Sequence, residues 1–82
     1  MIINAKVLVK NTGKNKQRVE VRSPKYPRGK MLFSLPISDK NKEIKFFTDK
    51  KDLVGCPDKL SLGQIIRSDN VIYIFTSEIL IK

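Results

Sequence analysis

The sequence predicts a mostly β, β-rich α+β protein: a small antiparallel sheet or an OB-like barrel of about five strands, with one short helix before the last strand. Its length of 82 residues fits one domain, so we interpret residues 1–82 as a single basic β-rich domain. The apolar residues, 40% of the chain, are rich in Ile, Val, Leu and Phe, which favour strands. They alternate with polar residues over short segments separated by Gly, Asn and Pro.

The first two strands form a predicted hairpin. Apolar and polar residues alternate over 3–9 and again over 17–23, which is typical of half-buried strands. Gly and Asn between them, in 11–15, tolerate the positive φ angles of a turn. With Val19 and Val21 facing the core, the opposite face of the hairpin would carry basic side chains: Lys6, Arg18 and Arg22.

Two further strands are predicted over 30–37 and 43–48. The first has an unbroken apolar face, and Pro36 indicates an edge position or a break. In the second, Ile44 and Phe46 face the core, so Phe47 falls on the opposite face. Phe47 would then either offer a ring for stacking or be covered by a loop or by the helix.

In the C-terminal part of the chain, the sequence predicts a short helix and a long strand. Residues 53–56 form a short apolar segment expected to be buried. Ser61 and Gln64 have the spacing of a capping box, which predicts a helix over 62–67. Residues 71–81 are apolar at both parities, so we expect a last strand covered on both sides and bent near 76–77.

Several functional classes are disfavoured by what the chain lacks. It has no His and one Cys, Cys56, so no disulfide within the chain, no cysteine-based zinc site and no Ser-His or Cys-His pair can form. The acidic residues are scattered and the glycines isolated, so we expect no catalysis, cofactor or metal site. No apolar stretch is long enough to span a membrane, and no signal peptide is recognisable, so an intracellular, cytoplasmic location is expected.

Positive charge is concentrated in residues 10–30. This stretch has eight basic residues and one acid, a charge of +7 out of +9 for the chain, which indicates an anionic partner. Tyr26 lies between two prolines and beside cations, as expected of a loop that stacks on bases; folding back over the sheet is the alternative. We therefore expect nucleic-acid binding, DNA or RNA, with single strands favoured. The predicted contacts are Lys14, Lys16, Arg18, Arg22, Lys25, Tyr26, Arg28 and Lys30, with Phe47 a weaker candidate.

A protein-interaction module, such as a regulatory subunit or inhibitor of a larger complex, is the alternative function. A basic surface can dock on an acidic protein, and a free strand edge can pair with a partner, including a second copy in a homodimer. The charges could also serve only solubility. Salt dependence separates these hypotheses, because binding through phosphates weakens steeply as salt rises.

Overall fold

The computed structural model describes residues 1–25 and 31–81, and these residues are mostly β. They contain one α-helix and short 3₁₀ turns at Ile37–Asp39 and Lys50–Asp52. The strands and helix are β1 Ile2–Asn4, β2 Lys6–Gly13, β3 Lys16–Arg22, β4 Phe33–Pro36, β5 Glu43–Phe47, β6 Ile65–Ser68, β7 Val71–Phe75 and α1 Glu78–Ile81. No helix in this part of the chain is long and apolar enough to cross a membrane.

Strands β2, β3 and β4 form an antiparallel sheet in that order, which we call the hairpin sheet. The predicted hairpin is confirmed, although its first strand is divided at Ala5. The backbone N–H of Ala5 donates to the Ile44 carbonyl, 2.9 Å away, and β1 pairs with β5 rather than with β3. The chain therefore passes from one sheet to the other at Ala5.

Strands β1, β5, β7 and β6 form the second sheet in that order, which we call the mixed sheet. Strands β5 and β7 lie parallel at its centre, with Ile44 opposite Ile72 and Phe46 opposite Ile74. The outer pairs are antiparallel. A mostly antiparallel arrangement is thus confirmed, with one parallel pair that the sequence did not predict.

The core lies between the two sheets. Buried residues of both sheets and of α1 form one cluster: Val19, Val21, Leu35, Ile44, Phe46, Ile72, Ile74 and Ile81. The rings of Phe33 and Phe46 meet across it with centroids 5.9 Å apart. In the described ranges, the strand pairs form two open sheets and close no barrel, so the OB-like barrel is not confirmed.

The predicted helix over 62–67 is wrong, because Ile65–Ser68 is strand β6 and pairs with β7. Gly63 has φ of +85°, outside the helical region, and its N–H donates to the Phe75 carbonyl. The predicted last strand is also too long. It ends at Phe75, and α1 follows rather than precedes it, so the helix-before-strand order is wrong as well.

The second face of the mixed sheet is only partly covered, because Val71, Tyr73 and Phe75 of β7 are half-buried. The predicted cover on both sides of the last strand is therefore found in part. Phe47 is completely buried, its ring stacked on Phe75 at 5.0 Å between centroids. Lys50 Nζ lies 5.7 Å from the Phe75 ring centre on the chain that follows β5. Burial of the whole 53–56 segment is a wrong prediction, because Val54 is fully exposed.

Candidate nucleic-acid interface

Four exposed basic side chains share the outer face of the β2–β3 hairpin. Val19 and Val21 of β3 are fully buried, so the alternate residues of β3 point away from the core. Cross-strand pairing places Lys10 opposite Arg18, and Lys16 lies at the turn end of β3. Lys6 lies at the other end of β2. We call this exposed set of Lys6, Lys10, Lys16 and Arg18 the basic face.

The basic face carries uncompensated charge. Carboxylates that form ion pairs in residues 1–25 and 31–81 pair with other cations: Glu20, Asp39, Glu43 and Asp52. None of these pairs involves a side chain of the basic face. Directly opposite residues of an antiparallel pair have Cβ atoms about 4.5–5.5 Å apart, so Lys10 and Arg18 concentrate like charge.

Arg18 is held in place by the neighbouring strand. Its Nε donates to Ser34 Oγ at 2.7 Å, and its Nη2 is 3.4 Å from the Ser34 carbonyl oxygen. These contacts use one side of the guanidinium and leave the other N–H groups for a ligand. Arg18 is therefore an oriented, exposed cation able to make a forked contact with a phosphate.

Arg22, in contrast, is already engaged. Its Nη2 and Nε donate to Glu20 Oε1 at 2.8 and 3.2 Å, and the two side chains are only 11% and 16% exposed. Glu20, the one acid of residues 10–30, is therefore paired within its own strand. A phosphate would have to displace this carboxylate, so we remove Arg22 from the expected contacts.

The remaining predicted contacts are spread over the length of the hairpin or lie outside it. Lys14 is at the tip, in the turn where Asn15 has φ of 60°. Lys25 follows the far end of β3, whose seven residues span about 23 Å. Both are exposed, but only Lys14 extends the basic face directly. Tyr26, Arg28 and Lys30 lie outside the described residues.

The described aromatic rings do not lie on the basic face. They pack in the core or on the mixed sheet: Phe33, Phe46, Phe47, Tyr73 and Phe75. Phe47 has no exposed surface on which a base could stack, because its side chain is completely buried and its ring packs on Phe75 and Tyr73. The stacking part of the prediction consequently depends on Tyr26 alone.

Two members of the basic face, Lys6 and Lys10, were absent from the predicted contacts. The signal was available, because alternation puts both on the polar side of the first strand. What alternation cannot give is the cross-strand register, which sets Lys10 against Arg18.

A second charged cluster lies away from this face. Asp39 Oδ1 accepts from Arg67 Nη1 at 2.8 Å and lies 3.2 Å from Lys42 Nζ. Burial of the Asp39 carboxyl raises its pKa, but the hydrogen bonds and charges of Arg67 and Lys42 outweigh burial, so the pKa lies below the ordinary 3.8. The cluster ties the turn after β4 to β6.

Within the described ranges, no three His, Cys, Asp or Glu side chains gather as a metal site.

Comparisons with protein-family models, with curated proteins and with solved structures found no match to this chain.

Proposed function

We propose that this protein is a non-catalytic nucleic-acid-binding protein that contacts phosphates through the basic face. The observation that carries the proposal is the alignment of Lys6, Lys10, Lys16 and Arg18 on one exposed strand face without carboxylate partners among the described residues. Cations in such a row neutralise successive phosphates and release condensed counterions, which favours binding. A cytoplasmic location is part of the proposal.

The basic face supports contact with the nucleic-acid backbone rather than with base edges. Contacts between lysine side chains and phosphates carry no information about base sequence. Arg18 is the one basic-face residue suited to a forked contact. Preference for single strands would come from stacking on Tyr26. An OB-like barrel is not required, because an open hairpin presents the cations by itself.

The first test is fluorescence anisotropy with labelled single-stranded and duplex oligonucleotides at several salt concentrations. Four phosphate contacts predict a slope of about −3 for log affinity against log salt on single strands. The Lys10→Ala, Lys16→Ala, Arg18→Ala triple variant should lose most of the affinity and reduce that slope by about 2.

The control variant removes equal charge elsewhere. Lys40, Lys51 and Lys59 are exposed, and their side chains form no ion pair in the described part of the chain. Changing these three to Ala should leave both affinity and slope close to wild type. Equal loss in both triple variants would mean that only net charge matters. Wild-type protein that binds neither oligonucleotide at low salt would contradict the proposal and favour a protein-interaction module.

A further inference from the structure

A groove lies between one edge of each sheet. Strand β4 is the last strand of the hairpin sheet, and β6 is the last strand of the mixed sheet. Between them is a cavity of about 540 Å³, lined by residues 33–35 on one side and by Leu60 and residues 63–65 on the other. The backbone pairs found in the described ranges join β4 to β3 and β6 to β7, but not β4 to β6.

The lining residues show that backbone atoms, as well as side chains, border the groove. Successive residues of a strand point to opposite faces, so a cavity on one face would be lined by alternate residues. Here three consecutive residues line each wall. Gly63 adds to this, because it has no side chain and a Cβ there would lie 3.6 Å from the Phe33 ring. On the other wall Gly63 and Gln64 precede β6, and their backbone groups already bond to Phe75 and Ser61. The groove therefore presents one free strand edge, that of β4, to whatever enters it.

The chemistry of the groove is apolar with a cation at its rim. Leu35 is 5% exposed, and Phe33, Leu60 and Ile65 are half-buried. Ser34, which also lines the groove, accepts the hydrogen bond from Arg18 Nε. An occupant with apolar side chains and a carboxylate near Arg18 would match both features.

We propose that this groove binds an extended segment of a partner protein, which adds as a β-strand along the free edge of β4. Its apolar side chains would alternate with polar ones, and at least one acidic side chain would pair with Arg18. Strand addition uses main-chain hydrogen bonds for affinity and alternate side-chain contacts for specificity, which the free edge of β4 and the apolar lining provide. The net charge of +9 favours an acidic partner. The inference stands apart from the proposed function, since only Arg18 belongs to both surfaces.

The test is selection from a random twelve-residue peptide display library on the full chain. Enriched peptides should alternate apolar and polar residues and contain Asp or Glu. Each would then be titrated into ¹⁵N-labelled protein, where the backbone amides of 33–35 and 63–65 should shift and hydrogen exchange at the free edge of β4 should slow.

A pair of variants in one loop provides the control. Leu60→Glu places a like charge in the groove and should weaken an acidic peptide at least tenfold. Leu62→Glu makes the same change two residues away, at a side chain that is 60% exposed and does not line the groove, and should have little effect. If Leu60→Glu unfolds the chain, the wild-type amide shifts still decide.

Three results would overturn the inference. One is an absence of enriched peptides, and another is a peptide whose amide shifts fall outside the groove. The third is a shift of the groove amides that appears with rising protein concentration and no peptide, because the occupant would then be a second copy of the chain.

Discussion

Arg18 and Arg22 show how two residues of one strand face acquire different chemistry. They have the same parity on β3, and the sequence predicted the same role for both. Arg22 is neutralised by Glu20, whereas Arg18 is oriented by Ser34 of the adjacent strand. The nearest acid to each arginine is visible in the sequence, but the β3–β4 register that brings Ser34 to Arg18 is a tertiary property. For this reason the sequence identified the basic stretch of residues 10–30, but not which of its cations lack a carboxylate partner.

Asp39 offers a residue-scale test of stability. Asp39→Asn should lower the free energy of unfolding at pH 7 by about 1–3 kcal/mol, because a buried carboxylate loses its charge-assisted bonds from Arg67 and Lys42. Arg67 is 43% exposed, so water recovers part of the loss. Urea unfolding at several pH values measures the effect.

The pH dependence of this difference has a defined sign. The folded-state pKa of Asp39 is depressed, so its contribution is present above the unfolded pKa of about 3.9 and is lost as pH falls through the folded value. The wild-type and Asp39→Asn stabilities should therefore converge in strong acid. Asp58→Asn, which changes an exposed acid, is the control. It should alter the free energy of unfolding little, both at pH 7 and in strong acid. A difference that persists unchanged in acid would contradict this assignment.

At the scale of elements, the 61–64 segment forms one contact of the predicted capping box but does not start the predicted helix. One of the two capping-box contacts exists: Ser61 N–H donates to Gln64 Oε1 at 2.8 Å. The Gln64 N–H donates to the Ser61 carbonyl at 3.1 Å instead of to the Ser61 hydroxyl. No helix follows, because Gly63 has positive φ and the next residues pair with β7. The sequence pattern identified a local contact between residues 61 and 64, but pairing with a distant strand decided the structure that follows it.

The β2–β3 turn gives an element-scale prediction. Asn15 has φ of 60°, which Gly adopts freely and a β-branched residue does not. Asn15→Gly should preserve or slightly raise stability, whereas Asn15→Val should cost about 1–2 kcal/mol. Thr12→Val, nearby on the hairpin and without positive φ, serves as the control. Thermal unfolding followed by circular dichroism would measure all three, and an Asn15→Val variant as stable as wild type would contradict the turn geometry.

At the scale of the whole molecule, two sheets share one core, and helix α1 contributes to it. Alternation in the sequence predicted the buried faces of β3 and β5 correctly. It could not predict that the N-terminal strand divides at Ala5 between two sheets, because both halves alternate alike. It also missed α1, since four residues are too few for a helical period to be distinguished from a strand.

Two isoleucines of α1, one buried and one exposed, test whether this helix helps to form the core. Ile81 is 3% exposed and belongs to the core cluster, whereas Ile79 is 81% exposed. Ile81→Ala should lower the free energy of unfolding by about 2–4 kcal/mol through lost burial and a cavity. Ile79→Ala should stay within about 0.5 kcal/mol of wild type. Chemical denaturation of both variants checks the prediction, and similar values for the two would show that α1 does not seal the core.

The parallel pairing of β5 with β7 also determines when each sheet can form during synthesis. The hairpin sheet consists of consecutive strands, so residue 36 completes its sequence. The centre of the mixed sheet must wait until residue 75 has left the ribosome. Ile44 and Phe46 meanwhile lack their partners, and nascent chains with unpaired apolar strands tend to aggregate. The cations of the hairpin are already translated by then, and repulsion between like charges opposes the association of neighbouring nascent chains during this interval.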